Sequence, residues 1–408
     1  MQSPMMTRVR QTFDSPHIKD VEAHTRQTIL DSGVTIKPNA RIAITAGSRG
    51  ISNIALILKT VVETVREMGG QPFIVPAMGS HGGATAEGQR ALIEGYGITE
   101  EYVGAPIHSS MQVTELDSSG LQHRLYMDKY AAESDGVIVV NRIKVHTDFH
   151  GPIESGIMKM CVIGLGKHAL ALEMHSLGVY GLRDLIPIAA RKIIATGKIL
   201  LGIGICENAY DQTALIQAML PDQIEKTEMQ MLDWNRAHMP SLPLDDIDVL
   251  IIDRMGKDIS GLGIDTNIIG RMRIVGEAEP ERPRIRAIIV DDLTEGTHGN
   301  AMGMGLADFL TKRLRDKINF HDTYENVLTS SFLIRGNMPV VLDTPREALQ
   351  QALRGYVRGV DAPRIIRIRD TLSLSDIQLS PAALAALKGA DVYGEQPLFS
   401  ADGELAPW

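Results

Sequence analysis

Four short apolar runs, each stopping abruptly at polar or glycine-bearing residues, constrain this chain more than any other feature. Arg41-Ile42-Ala43-Ile44-Thr45-Ala46 gives way to Gly47-Ser48-Arg49-Gly50. Apolar residues then recur at helical spacing from Ile54 to Met68, behind a Ser52 or Asn53 cap, and Gly69-Gly70 ends that helix. Pro72 to Met78 is a second such run and leads into Gly79-Ser80-His81-Gly82-Gly83, after which Thr85 caps a helix reaching about Gly95. Gly136 to Val140 and Ile199 to Cys206 are the third and fourth. Runs this short suit buried strands. Their alternation with helices predicts an α/β fold with mostly parallel sheets and right-handed crossovers. Ligands in such sheets sit at the carboxyl ends of the strands.

The pattern breaks at Met239-Pro240-Ser241-Leu242-Pro243 and restarts with a strand from Val249 to Asp253. Strands at Arg286–Asp291, Met338–Leu342 and Arg364–Ile368 follow, with helices at Asn300–Lys317 and Pro345–Tyr356. We therefore expect two α/β domains, 1–244 and 245–379, with an active-site cleft between them. An Ala- and Leu-rich helix at Ser380–Lys388 opens a tail, 380–408, expected to pack on the first domain.

Composition narrows the function classes. The 408 residues carry 41 basic and 50 acidic side chains, a net charge of −9, and only 4% are aromatic. Phosphate contacts need clustered Lys and Arg, so nucleic acid is not the expected partner. No apolar run approaches the roughly 18 residues of a membrane span. Met1 to Phe13 lacks a signal-type apolar core, so a cytoplasmic location is expected. Cys161 and Cys206 are the only cysteines, too few for a sulfur-ligated zinc or iron–sulfur site supplied by the protein.

Three strand ends carry the chemistry. At the first, Gly47, Ser48 and Gly50 let backbone N–H groups approach an anion, and Arg49 adds a bidentate clamp. At the second, His81 stands between small residues with no apolar periodicity around it, which suits a general acid or base. The third is the run from Asn141 to Lys159, which gathers His146, Asp148, His150, Glu154 and three basic residues. Lys167-His168 and Glu173-Met174-His175 lie downstream; His150, Lys167 and His168 each also read as plain surface residues. Taken alone, His146, Asp148 and His150 fit a divalent-metal site with mixed N and O ligands. A metal hydrolase or lyase is thus one reading, and a non-catalytic anion-binding protein another.

These residues together resemble the nickel-dependent lactate racemase family, whose members use a nickel-pincer nucleotide. The resemblance covers most of residues 40–240 and the second domain only in outline. Arg49 matches an arginine near cofactor and substrate, although Ala46 stands where the family pattern has an acid. Gly79-Ser80-His81 matches a Gly-Thr-His turn bearing one catalytic histidine. His146 and Ser155-Gly156-Ile157-Met158-Lys159 match the second histidine and a Ser-Gly-x-x-Lys run whose lysine is joined to the cofactor. About three extra residues lie between them, which leaves His150 as a rival. His175, sixteen residues beyond Lys159, matches the nickel-binding histidine.

The resemblance implies an isomerase, a racemase or epimerase of 2-hydroxy acids. Lys159 would hold the cofactor covalently, His175 the nickel, and His81 and His146 would act as the acid/base pair. Dedicated cofactor-maturation proteins would be partners. The second domain departs from the pattern: Lys257 and His298, on loops after two of its strands, are the candidates for gripping substrate. The expected substrate is a 2-hydroxy acid larger or more polar than lactate.

Overall fold

The computed structural model describes residues 3–48, 50–330 and 332–408. It contains fifteen strands among the described residues. In chain order these are β1 (Met5–Arg10), β2 (Arg41–Ala46), β3 (Gln71–Pro76), β4 (Val113–Leu116), β5 (Leu125–Asp128), β6 (Gly136–Arg142), β7 (Ile199–Glu207) and β8 (Thr213–Met219). They continue with β9 (Asp246–Met255), β10 (Arg284–Leu293), β11 (Phe309–Thr311), β12 (Val340–Leu342), β13 (Ile365–Ile368), β14 (Asp376–Leu379) and β15 (Asp391–Pro397). The chain is a mixed α/β protein whose two main sheets are largely parallel, and it divides into two compact units.

One unit is Asp14–Met239. Its sheet runs β3-β2-β6-β7-β8, parallel except for β8, which pairs antiparallel with β7. Ile42, Ile44, Ile138, Val140, Leu201 and Ile203 bury one face against Ile57, Leu58, Val61 and Val65 of helix Ile54–Glu67. The connection out of β2 goes to β3 and the one out of β6 goes to β7, in opposite directions across the sheet. Such a switch point opens a crevice at the carboxyl ends of the two diverging strands. Gly47 and Ser48 lie at one lip and Asn141 and Arg142 at the other.

The other unit joins the described residues up to Phe13 to Pro240–Trp408. Its eight strands run β12-β11-β10-β9-β13-β14-β1-β15, parallel from β12 to β13 and antiparallel thereafter. The 380–408 tail therefore belongs here and not with the first unit, as does β1, because β1 fills the gap between β14 and β15. The division falls at Met239/Pro240, beside the proline cluster that set the expected boundary.

Two further expectations differ from the structure. The stretch 300–317 is not one helix. Gly299 and Gly303 take positive φ, Phe309-Leu310-Thr311 becomes β11, and only Lys312–Asp316 is α-helical there. Asn53 stands at the helix start with φ 61° but does not cap it; its amide donates to Thr213 Oγ1 at 2.9 Å. Thr85 does cap its helix, accepting from Gly88 N at 3.0 Å. Among the described residues, no helix is long and apolar enough to cross a membrane.

Candidate active site

The site is built on a single segment packed beneath three strand ends of the Asp14–Met239 unit. Helix Ile157–Lys159 runs into a π-helical turn, Met160–Gly164, in which Leu165 N–H bonds Met160 C=O at 2.9 Å. Helix Lys167–Ser176 follows. Such widened turns recur at functional positions because they re-aim side chains without ending the helix. Three glycines permit the packing. A Cβ on Gly47 would meet Met160 Cε at 3.1 Å, and one on Gly79 would meet Ile163 at 3.1 Å and Ala171 at 3.2 Å. One on Gly164 would overlap Met160 Sδ and come within 3.0 Å of Ala77 C=O. The turns after β2 and β3 therefore sit directly on the segment that carries Lys159 and His175.

The loop after β6 is closed by an antiparallel bridge between Lys144 and Ser155 and filled by the buried carboxylate of Glu154. Glu154 accepts from His146 N at 2.5 Å, Gly151 N at 3.1 Å and Arg236 at 2.7 Å, and contacts His150 Nδ1 at 3.3 Å. Burial pushes its pKa up, but the bonds from His150, His146 N and Arg236 win and hold the carboxyl below its ordinary value. The two rival histidines separate here. His150 turns to Glu154, whereas His146 stacks on Phe149 (centroids 4.6 Å apart) and points Nε2 at Lys159 Nζ, 2.5 Å away.

Both ring nitrogens of His146 are engaged. His146 Nδ1 already accepts the backbone N–H of Asp148 at 3.0 Å. His175, on the next helix, is pushed down to about 4 by burial; positive charge on Lys159 acts in the same direction and Asp148 opposes it. Its imidazole is neutral at physiological pH, with a lone pair available to a metal.

Asn141 and Glu228 fix the start of the segment. Asn141 Nδ2 donates to Gly156 C=O at 2.9 Å, and buried Glu228 accepts Met158 N–H at 2.9 Å. Gly156 has no room for a Cβ, which would fall on Glu228 Oε1. At the crevice, Ser48 C=O accepts from Tyr96 OH at 2.8 Å, Glu207 accepts Ser52 N–H at 2.6 Å, and Arg142 pairs with Glu207. Arg49, expected to clamp an anion there, lies outside the described residues, and Gly50 follows it.

Among the described residues no three His, Cys, Asp or Glu side chains converge as a metal site. The expected His146, Asp148 and His150 grouping is therefore not assembled, because His146 is turned to Lys159 and His150 to Glu154. His81 is exposed at the tip of the turn after β3. Lys167 is not a surface residue but fully buried. Lys257 and His298 lie in the other unit. Lys257 N–H bonds Thr297 Oγ1 at 3.1 Å and its ammonium reaches Asn326, while His298 is exposed with φ 50°. Sequence reasoning missed Gln89, Asp128 and Glu228, each polar and buried within otherwise ordinary helical or strand patterns.

The family model described as "Domain of unknown function (DUF362)" matches residues 34–258. No curated protein matches the sequence. The lactate racemase apoprotein from Thermoanaerobacterium thermosaccharolyticum is similar in structure, with a TM-score of 0.53 and 13% identity over 90% of this chain and 99% of that one. A protein from Thermotoga maritima aligns at a TM-score of 0.45 and 10% identity, over 69% of this chain and 72% of its own.

Proposed function

This chain belongs to the DUF362 family, and we propose that it is a racemase or epimerase of a 2-hydroxy acid that works with a nickel-pincer nucleotide held on Lys159. The observation that carries this reading is the Lys159 Nζ to His146 Nε2 contact of 2.5 Å, which sets the lysine and the proposed base side by side. The fold shared with lactate racemase agrees with it.

The residues present fit such a cofactor. Lys159 supplies the amine needed for covalent attachment. His175, neutral through burial, suits a borderline metal such as nickel. Bound there, the cofactor would supply an electron-poor ring able to take and return the α-hydrogen as a hydride. That route avoids a carbanion beside a carboxylate. The chain's own part is proton handling and orientation. His146, beside Lys159 and with its ring held against Phe149, would take the hydroxyl proton. His81 does the same for the opposite enantiomer. The crevice at Gly47, Ser48 and Gly50, with Ser155 and Gly156 at the segment start, would seat the nucleotide phosphate on backbone N–H groups. Lys257 and His298 remain the candidates for substrate selection, the substrate being larger or more polar than lactate, and the cofactor would be delivered by maturation proteins.

Cofactor-loaded protein incubated with single enantiomers of chiral 2-hydroxy acids in deuterated water tests the reading. We expect loss of optical purity with the α-hydrogen retained. Loss of optical purity with rapid deuterium entry would replace hydride transfer by proton abstraction, and no racemisation of any member would overturn the assignment.

A further inference from the structure

We infer that Lys167, buried against Asp128 and bonded to Gln89, is a positioning residue that fixes the turn carrying His81. The inference rests on the reading of His81 as an acid/base group.

A lysine ammonium has three donors and no acceptor. At Lys167 the ammonium is held inside the protein by two hydrogen bonds and an ion pair. The bonds go to Pro76 C=O and to Gln89 Oε1 at 3.1 Å, and Asp128 Oδ2 faces the ammonium as an ion pair at 3.3 Å. Both side chains are completely buried, so removing one alone would leave the other without its charge partner. Lys167 also takes a positive φ of 55°, a conformation that side-chain-bearing residues adopt at a cost. A surface lysine would have no reason to bear that strain.

The direction of the network matters more than its strength. Because the ammonium can only donate, Gln89 must face it with its carbonyl oxygen. The amide NH₂ is therefore turned the other way, where it donates to Gly79 C=O at 2.9 Å and His81 C=O at 3.2 Å. With Pro76 C=O on Lys167 itself, the end of β3 and two backbone carbonyls of the turn after it are held from one buried point. Asp128 anchors that point on β5, its other oxygen accepting Ala131 N–H at 3.0 Å. Lys167 lies midway between Lys159 and His175 in the chain, so the segment bearing those residues also dictates where His81 stands. Burial pushes the Lys167 ammonium below its ordinary pKa and the Asp128 carboxyl above, each partner opposing the shift of the other.

Two variants of the full chain test this. Asp128→Leu/Lys167→Met removes the buried pair together. Gln89→Glu keeps the pair but removes the two N–H donors to the Gly79 and His81 carbonyls, and so decides the matter should the double variant not fold. The readout is the imidazole spectrum of ¹⁵N-histidine-labelled protein, with the His81 signals assigned by their loss in His81→Gln. We expect the His81 signals to move in both variants, with those of His146 and His175 in place and the near-ultraviolet circular dichroism retained. In cofactor-loaded protein kcat should fall by about 10²-fold, as misplacement of a reacting group does, with KM changed by no more than about twofold. Unmoved His81 signals in folded Gln89→Glu protein would overturn the inference. If wild-type protein racemises nothing yet the His81 signals move, the functional reading fails and the positioning stands.

Discussion

At the scale of single residues, the division of labour between His146 and His150 follows from what each ring touches. His150 is part-exposed and spends its contact on Glu154. His150→Ala leaves Glu154 its bonds from His146 N, Gly151 N and Arg236, and should keep turnover within about tenfold of wild type. His146→Ala removes the proposed base and should cost about 10²- to 10⁴-fold in kcat. Racemisation rates of both variants check this, and equal losses would contradict the assignment. Much of this site was legible in the residues. A histidine among glycines at a strand end, and a lysine and a histidine sixteen residues apart, are local patterns. The choice between His146 and His150 was not legible, since it depends on Glu154 folding back to occupy His150 and on Phe149 lying under His146.

At the scale of elements, the helix start at Ile157 depends on a carboxyl group from helix Ile224–His238. Burial pushes Glu228 up to about 8, although bonds from Met158 N–H and Ile157 N–H oppose the shift. A carboxyl whose folded pKa is raised above its unfolded value stabilises the fold fully below the unfolded pKa of 4.5, and that contribution is lost as pH rises towards about 8. Glu228→Gln cannot ionise. Its stability relative to wild type should therefore climb between pH 5 and pH 8, by on the order of 1 kcal/mol per pH unit. Urea denaturation at several pH values measures this, and parallel pH profiles would refute it. Gly156→Ala should destabilise by about 1–3 kcal/mol through overlap with Glu228, as overpacking does. The same denaturation experiment reads it, and an unchanged midpoint would contradict it. Strands β2, β3, β6 and β7 could be read from apolar runs because both faces of a parallel sheet are covered. β4, β8 and β15 could not, since their exposed residues dilute the pattern, and β11 is too short to separate from helical periodicity.

At the scale of the whole molecule, the two units carry different kinds of order. The Asp14–Met239 unit holds every described candidate for the chemistry except Lys257 and His298. In the other unit the chain's first strand and its tail complete one sheet, a long-range pairing that local sequence patterns cannot reveal. That tail is tied down by charge. Asp253 pairs with nearly buried Arg367 at 2.8 Å and accepts from Trp408 Nε1 at 2.5 Å, and Arg367 and Arg369 both lie over the indole ring. Asp253→Asn leaves Arg367 uncompensated and should cost about 3 kcal/mol. The two tryptophans fall one in each unit, so single-tryptophan variants report them separately. The Trp408 transition should move to lower denaturant further than the Trp234 transition, and equal shifts would show that the loss is not confined to the tail's own unit.

The central claim is that Lys159 is the point at which the chain takes up its cofactor. It is tested most directly by the mass of the peptide containing Lys159. The protein should be produced with nickel in cells whose maturation proteins demonstrably modify a lactate racemase. The account predicts a nickel-pincer nucleotide adduct on Lys159, absent from Lys159→Ala protein. An unmodified Lys159 in protein from those cells would contradict it.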